Sequence, residues 1–175
     1  LSFFYIIIYI LIIINIYKFM RESTMEDSFL RKAIEEAMKA KSLDEVPVGA
    51  VIVKNNEIIA SGYNLKESIN DPTAHAEIIA IREAAKVLGS WRLNGCEMYV
   101  TLEPCTMCAG AIVQSRISKL YIGTYDPRAG GCGTVFNITQ SEHLNHWVDV
   151  KWLYNEECSE LLQEFFYEKR RNKDG

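Results

Sequence analysis

Two short clusters, His75-Ala76-Glu77 and Pro104-Cys105-Thr106-Met107-Cys108, constrain this chain more than any other feature. A structural zinc normally takes four protein ligands, whereas a catalytic zinc keeps one position open for water. His75, Cys105 and Cys108 make three, and Glu77 is left to move protons. His75 and Glu77 stand two positions apart, about 200° around a regular helix, so they cannot share one helical face. They can converge only near a helix end. Helix starts carry free N–H groups and a partial positive charge, which favours Cys105 and Cys108 as thiolates. A fold that uses these residues must therefore bring two helix starts to one point. The pattern points to metal-assisted hydrolysis.

Three other readings compete. Cys105-x-x-Cys108 could be a redox pair, which leaves His75-x-Glu77 unexplained. Cys96 or Cys132 could close a structural zinc site as a fourth ligand. His75 could be a core histidine beside a salt-bridged Glu77. The chain has five cysteines, and an odd number suits a disulfide framework poorly. A reducing cytoplasm suits thiolates that bind metal. Cys96 and Cys158 are expected to be small buried apolar residues, while Cys132, inside Gly130-Gly131-Cys132-Gly133, stays open.

Hydrophobic periodicity supplies the frame. Phe29, Ala33, Ala37 and Ala40 recur at helical spacing over Ser28 to Lys41. Ala50 to Lys54 and Glu57 to Gly62 read as strands joined at Asn55-Asn56, a pair that tolerates hairpin-turn geometry. After a polar loop from Asn64 to Asp71, a helix is expected with Thr73 as N-cap, ending near Leu88 before Gly89. Glu97 to Leu102 and Lys119 to Gly123 read as strands, with a helix over Cys105 to Gln114 between them. Val148 to Trp152 makes a last short strand. Asn155 to Arg171 makes a final amphipathic helix with Cys158, Leu161, Leu162, Phe165 and Phe166 inward. This order predicts an α/β fold, a three-layer α/β/α sandwich around a mixed sheet of about five strands.

The chain's 175 residues fit one domain. Its net charge of −4 excludes general polyanion binding, so any nucleic-acid contact needs a local basic patch. The first residues stand apart. Phe3 to Tyr17 is almost wholly apolar, yet shorter than the roughly 20 residues of a spanning helix. It also lacks the marks of a signal peptide. Residues 1–24 are expected to be translation upstream of a start at Met25, with 25–175 the functional domain. The alternative is a real anchor, with Lys18 and Arg21 holding the domain on the cytoplasmic side.

Asp71-Pro72-Thr73-Ala74-His75-Ala76-Glu77, together with Thr101-Leu102-Glu103-Pro104-Cys105-Thr106-Met107-Cys108-Ala109-Gly110-Ala111, closely resembles the bacterial tRNA-specific adenosine deaminases of the cytidine-deaminase-like superfamily. The resemblance runs from about Glu26 to Arg171. It implies a cytoplasmic homodimer that converts adenosine to inosine at the wobble position of a tRNA anticodon. It implies one zinc on His75, Cys105 and Cys108, with Glu77 as proton shuttle. Asn64 would hydrogen-bond the flipped base. Glu45-Val46-Pro47-Val48-Gly49-Ala50 would form a wall that packs on the base, Ala76 would also contact the substrate, and Asp126 would lie near the nucleotide sugar. Phe166, Lys169 and Arg170, on the last helix, would approach the anticodon loop. No membrane partner is expected. A deaminase of free guanine or cytosine, or a noncatalytic zinc-stabilised RNA-binding module, would be the alternatives.

Overall fold

The computed structural model of the chain describes residues 2–171. The first helix, α1 (Ser2–Ser42), leads into a hairpin of β1 (Gly49–Lys54) and β2 (Glu57–Tyr63). Then follow α2 (Ala76–Leu88), β3 (Glu97–Leu102), α3 (Thr106–Gln114), β4 (Lys119–Thr124), β5 (Asp149–Trp152) and α4 (Glu156–Arg171). The five strands lie in the order β2-β1-β3-β4-β5. β1 is antiparallel to both neighbours, and β3, β4 and β5 run parallel. The sheet is mixed, as expected. Asn55 and Asn56 take φ of 52° and 64°, the double left-handed geometry of a two-residue hairpin turn.

Alternation along the central strands sorts the core into two layers. Ala50, Ile52, Met98, Val100, Leu120 and Ile122 face α2 and α3, where Ala76, Ala80, Ala84, Ala109 and Ile112 meet them. Val51, Val53, Tyr99 and Tyr121 face the other way, onto Leu30, Ala33 and Ile34 of α1 and Cys158 of α4. Two glycines set how closely the helices lie. A Cβ on Gly49 would fall 2.1 Å from Ala33 O, so α1 rests directly on β1. A Cβ on Gly62 would fall 2.5 Å from Ala76 O, which presses the first turn of α2 onto β2. That contact fixes the height of the His75-Ala76-Glu77 turn above the sheet.

Three expectations change. Thr73 is not the cap of α2. Asp71 Oδ1 accepts from both Thr73 N at 2.8 Å and Thr73 Oγ1 at 2.7 Å, which folds Asp71–Thr73 into its own turn. The helix then starts at Ala76 with His75 as N-cap. Phe166 is not inward. Phe165 is buried and Phe166 is 43% exposed, because adjacent helical residues point about 100° apart. Finally, α1 extends back to Ser2, since no glycine or proline interrupts residues 2–42. Among the described side chains its first buried core residue is Leu30, and Ile7, Ile8, Ile12, Ile13, Ile14 and Ile16 are exposed. The side chains of Lys18 and Arg21 lie outside the described ones. Among the described residues no helix is long and apolar enough to cross a membrane.

Candidate active site

The site forms beyond the carboxyl ends of β3 and β4, the usual crevice of an open α/β sheet. His75 is the N-cap of α2 and Cys105 the N-cap of α3, both in extended backbone, and neither side chain caps its helix. Their ligand atoms are thus free to point at one another. His75 Nδ1 lies 3.7 Å from Cys105 Sγ and 3.5 Å from Cys108 Sγ. A tetrahedral zinc with bonds of about 2.3 Å to sulfur and about 2.05 Å to nitrogen separates such atoms by about 3.6 Å. Both His–Cys separations therefore suit a zinc ion, and all three ligand atoms lie within 4.8 Å of one another. Among the described residues the metal-competent group contains these three and no fourth. Cys96 and Cys132 pack in the core, with Cys132 Sγ 3.9 Å from Pro104 O. A closed four-ligand site on either cysteine finds no support there.

The three ligand side chains also perturb one another. Cys105 is held down to about 4, first by its hydrogen bond to Cys108 and then by that to His75. Cys108 is pushed up, by the same bond to Cys105 and by burial. His75 is raised, chiefly by its bond to Cys105. A divalent cation binds deprotonated thiols, so it would displace any proton that the two sulfurs share. Glu77 is 3% exposed, and its Oε2 has no hydrogen-bond partner. Burial raises its pKa above the ordinary carboxylate range. An unpartnered buried carboxylate oxygen is costly unless a ligand uses it.

A cavity of about 210 Å³ opens over these groups. Of the predicted contacts, Val46, Asn64, Ala76 and Asp126 line it together with His75, Glu77 and Cys105. Pro47 is buried but does not line the cavity. Asp126 also forms a turn, accepting from Arg128 N at 2.9 Å. Phe166, Lys169 and Arg170 lie on the last helix, away from the cavity wall. Lys169 pairs with Asp44, which precedes the wall residues Glu45 and Val46 in the chain. Sequence reading gave no role of their own to two lining acids. Glu45 is 1% and Glu103 2% exposed. Glu103 accepts from the backbone N of Asp126, Cys132 and Thr134 at 2.9–3.1 Å, which ties the loop after β4 to the Pro104-Cys105 turn. The only available signal was position: each acid stands within two residues of a proline, at the edge of an apolar stretch.

Residues 23–124 match the family model for the cytidine and deoxycytidylate deaminase zinc-binding region. A tRNA-specific adenosine deaminase of Bacillus subtilis (strain 168) is 48% identical over 151 residues, covering 86% of this chain and 94% of its own. The chain belongs to the tRNA-specific adenosine deaminases. A second tRNA-specific adenosine deaminase, from Aquifex aeolicus (strain VF5), is 51% identical over 149 residues, covering 84% and 97% of the two chains. A solved structure from work on A-to-I editing by tRNA:A34 deaminases at the wobble position of transfer RNA matches with a TM-score of 0.75 at 44% identity. It covers 78% of this chain and 99% of that one. The mixed sheet with helices on both faces is thus the fold of a deaminase family, on a chain that carries a zinc-binding deaminase region.

Proposed function

We propose that this chain deaminates adenosine to inosine at the wobble position of a tRNA anticodon, as a cytoplasmic homodimer. The observation that carries the chemistry is the meeting of His75, Cys105 and Cys108 at a cavity that His75, Cys105 and Glu77 line, with Glu77 Oε2 unpartnered among the described residues. The names of the relatives support the substrate. Zinc held by His75, Cys105 and Cys108 would act as a Lewis acid that makes water nucleophilic near neutral pH. Glu77 Oε2 takes a proton from the water as oxygen bonds to C6 of adenine. It delivers that proton to the purine ring, then takes the second from the new C6 hydroxyl and passes it to the amine, so ammonia leaves and a C6 carbonyl remains. Asn64 holds the base, and Val46 and Val48 give it an apolar wall that excludes water. A base must leave its stack to reach a cavity of this kind, which suits a single-stranded anticodon loop.

The test is inosine formation in an anticodon stem-loop carrying adenosine at the wobble position. One ammonia per inosine is expected, and an unmodified loop after prolonged incubation with zinc-loaded protein would contradict the reading. Lys169→Ala with Arg170→Ala bears on the RNA interface. The pair is expected to weaken hairpin turnover at unchanged zinc content. It should also flatten the salt dependence by about 0.7 in log–log slope for each phosphate that is no longer neutralised. An unchanged slope would remove the α4 end from the interface.

The catalytic unit is proposed to begin near Met25. The family match starts at residue 23, and the packed part of α1 at Leu30. Removing residues 1–24 is expected to leave kcat/KM on the hairpin unchanged and to raise solubility, because exposed apolar patches favour association. A loss of activity with the truncation, read beside the zinc content, would give the segment a catalytic or assembly role.

A further inference from the structure

Asn64 is buried at 6% exposure and lines the cavity. A side-chain amide has a donor end and an acceptor end, and its orientation is set by its neighbours. Here one neighbour decides. Glu45 Oε2 accepts from Asn64 Nδ2 at 3.0 Å. Glu45 Oε1 accepts from Ser68 N at 2.6 Å and from Ser68 Oγ at 2.7 Å. Three donors converge on its two oxygens, the pattern of an ionised carboxylate, which can only accept. The amide nitrogen of Asn64 must face Glu45, and Oδ1 must point away from it. No donor of the described residues meets Oδ1. The backbone of Asn64 is pinned as well, its N–H donating to Val48 O at 3.0 Å. Leu65 N donates to Ala74 O at 3.0 Å, closing the loop that leads to His75.

We propose that Glu45 is a positioning residue for the deamination. It fixes the polarity of the Asn64 amide, so that Oδ1 and the second Nδ2 hydrogen are presented to the base in one arrangement. Through Ser68 it also holds the loop between Asn64 and the His75 ligand. The proposal rests on the adenosine deaminase reading for the identity of the base. Glutamine at position 45 would break the arrangement. Its own N–H₂ would then compete for Asn64 Oδ1 and turn the amide over, reversing what the pocket offers.

Two measurements test this. In the first, kcat/KM on the stem-loop is compared for wild type, Glu45→Gln, Asn64→Ala and the double variant, with zinc content and Tm alongside. A hydrogen bond to a charged group is worth about tenfold or more in rate, so each single variant is expected to lose at least that. The double variant is expected to be no worse than Asn64→Ala by more than about threefold, because Glu45 acts through Asn64. Losses that multiply would mean that Glu45 acts independently, and would overturn the proposal. The second is read on the wild-type protein without substrate, by the side-chain amide protons of Asn64 in an ¹⁵N spectrum. One Hδ2 proton is expected to be shifted downfield and protected from exchange. Two protons with the shifts and exchange of an exposed asparagine would overturn the clamp, whether or not Glu45→Gln folds. Wild-type protein inactive on the stem-loop would sink the tRNA reading, and the Asn64 amide signal would still decide the clamp.

Discussion

Glu77→Gln is expected to keep zinc and fold and to lose nearly all turnover. The substitution keeps the shape of the side chain but removes its capacity to take up and return a proton. General acid–base catalysis contributes about 10²–10⁴-fold per group, and Glu77 is proposed to act in more than one transfer, so the loss should sit at the upper end. The geometry supports this assignment. Oε2 is buried beside the ligand set with no partner of its own, whereas Glu45 and Glu103 have every oxygen engaged. Single-turnover rates beside metal analysis separate the two halves of the expectation. Activity within about tenfold of wild type would exclude Glu77 as the shuttle.

Cys105→Ala or Cys108→Ala is expected to lower bound zinc from about one equivalent per chain to near none, and to abolish activity with it. His75 and a single thiolate leave too few ligands for tight binding. The fold should survive, because two core layers pack on the sheet independently of the ligand triad. Circular dichroism and elemental analysis on the same samples check both points. Full activity in a metal-free protein would end the zinc mechanism. Complete unfolding on loss of zinc would favour a zinc-stabilised module instead.

The site's chemistry was legible because its residues have few other uses in that spacing. The angle between His75 and Glu77 around a helix required a helix end near His75, and Cys105 opened an expected helix; both prove to be N-caps. The hairpin was legible because two adjacent asparagines tolerate positive φ. Local competition was not legible. Asp71 captures Thr73 before a helix can use it, and nothing in a linear pattern weighs an aspartate turn against a threonine cap. The buried acids were also hidden, because an acidic residue reads as exposed unless its partners are known. Those of Glu103 lie about thirty residues further on, at Cys132 and Thr134. Phe165 and Phe166 show the limit of an apolar stripe: it marks a helix face, and two neighbours cannot both occupy its centre.

The cavity is proposed to serve an adenine delivered by an RNA loop. The most direct test is kcat/KM of the zinc-loaded wild-type protein for ammonia release across four substrates: an anticodon stem-loop, free adenosine, guanine and cytosine. The pocket residues can hold a base but offer little to anchor it alone, so much of the binding energy must come from flanking nucleotides. A strong preference for the stem-loop, with inosine as product, is the predicted result. Equal or better kcat/KM on guanine or cytosine would contradict it.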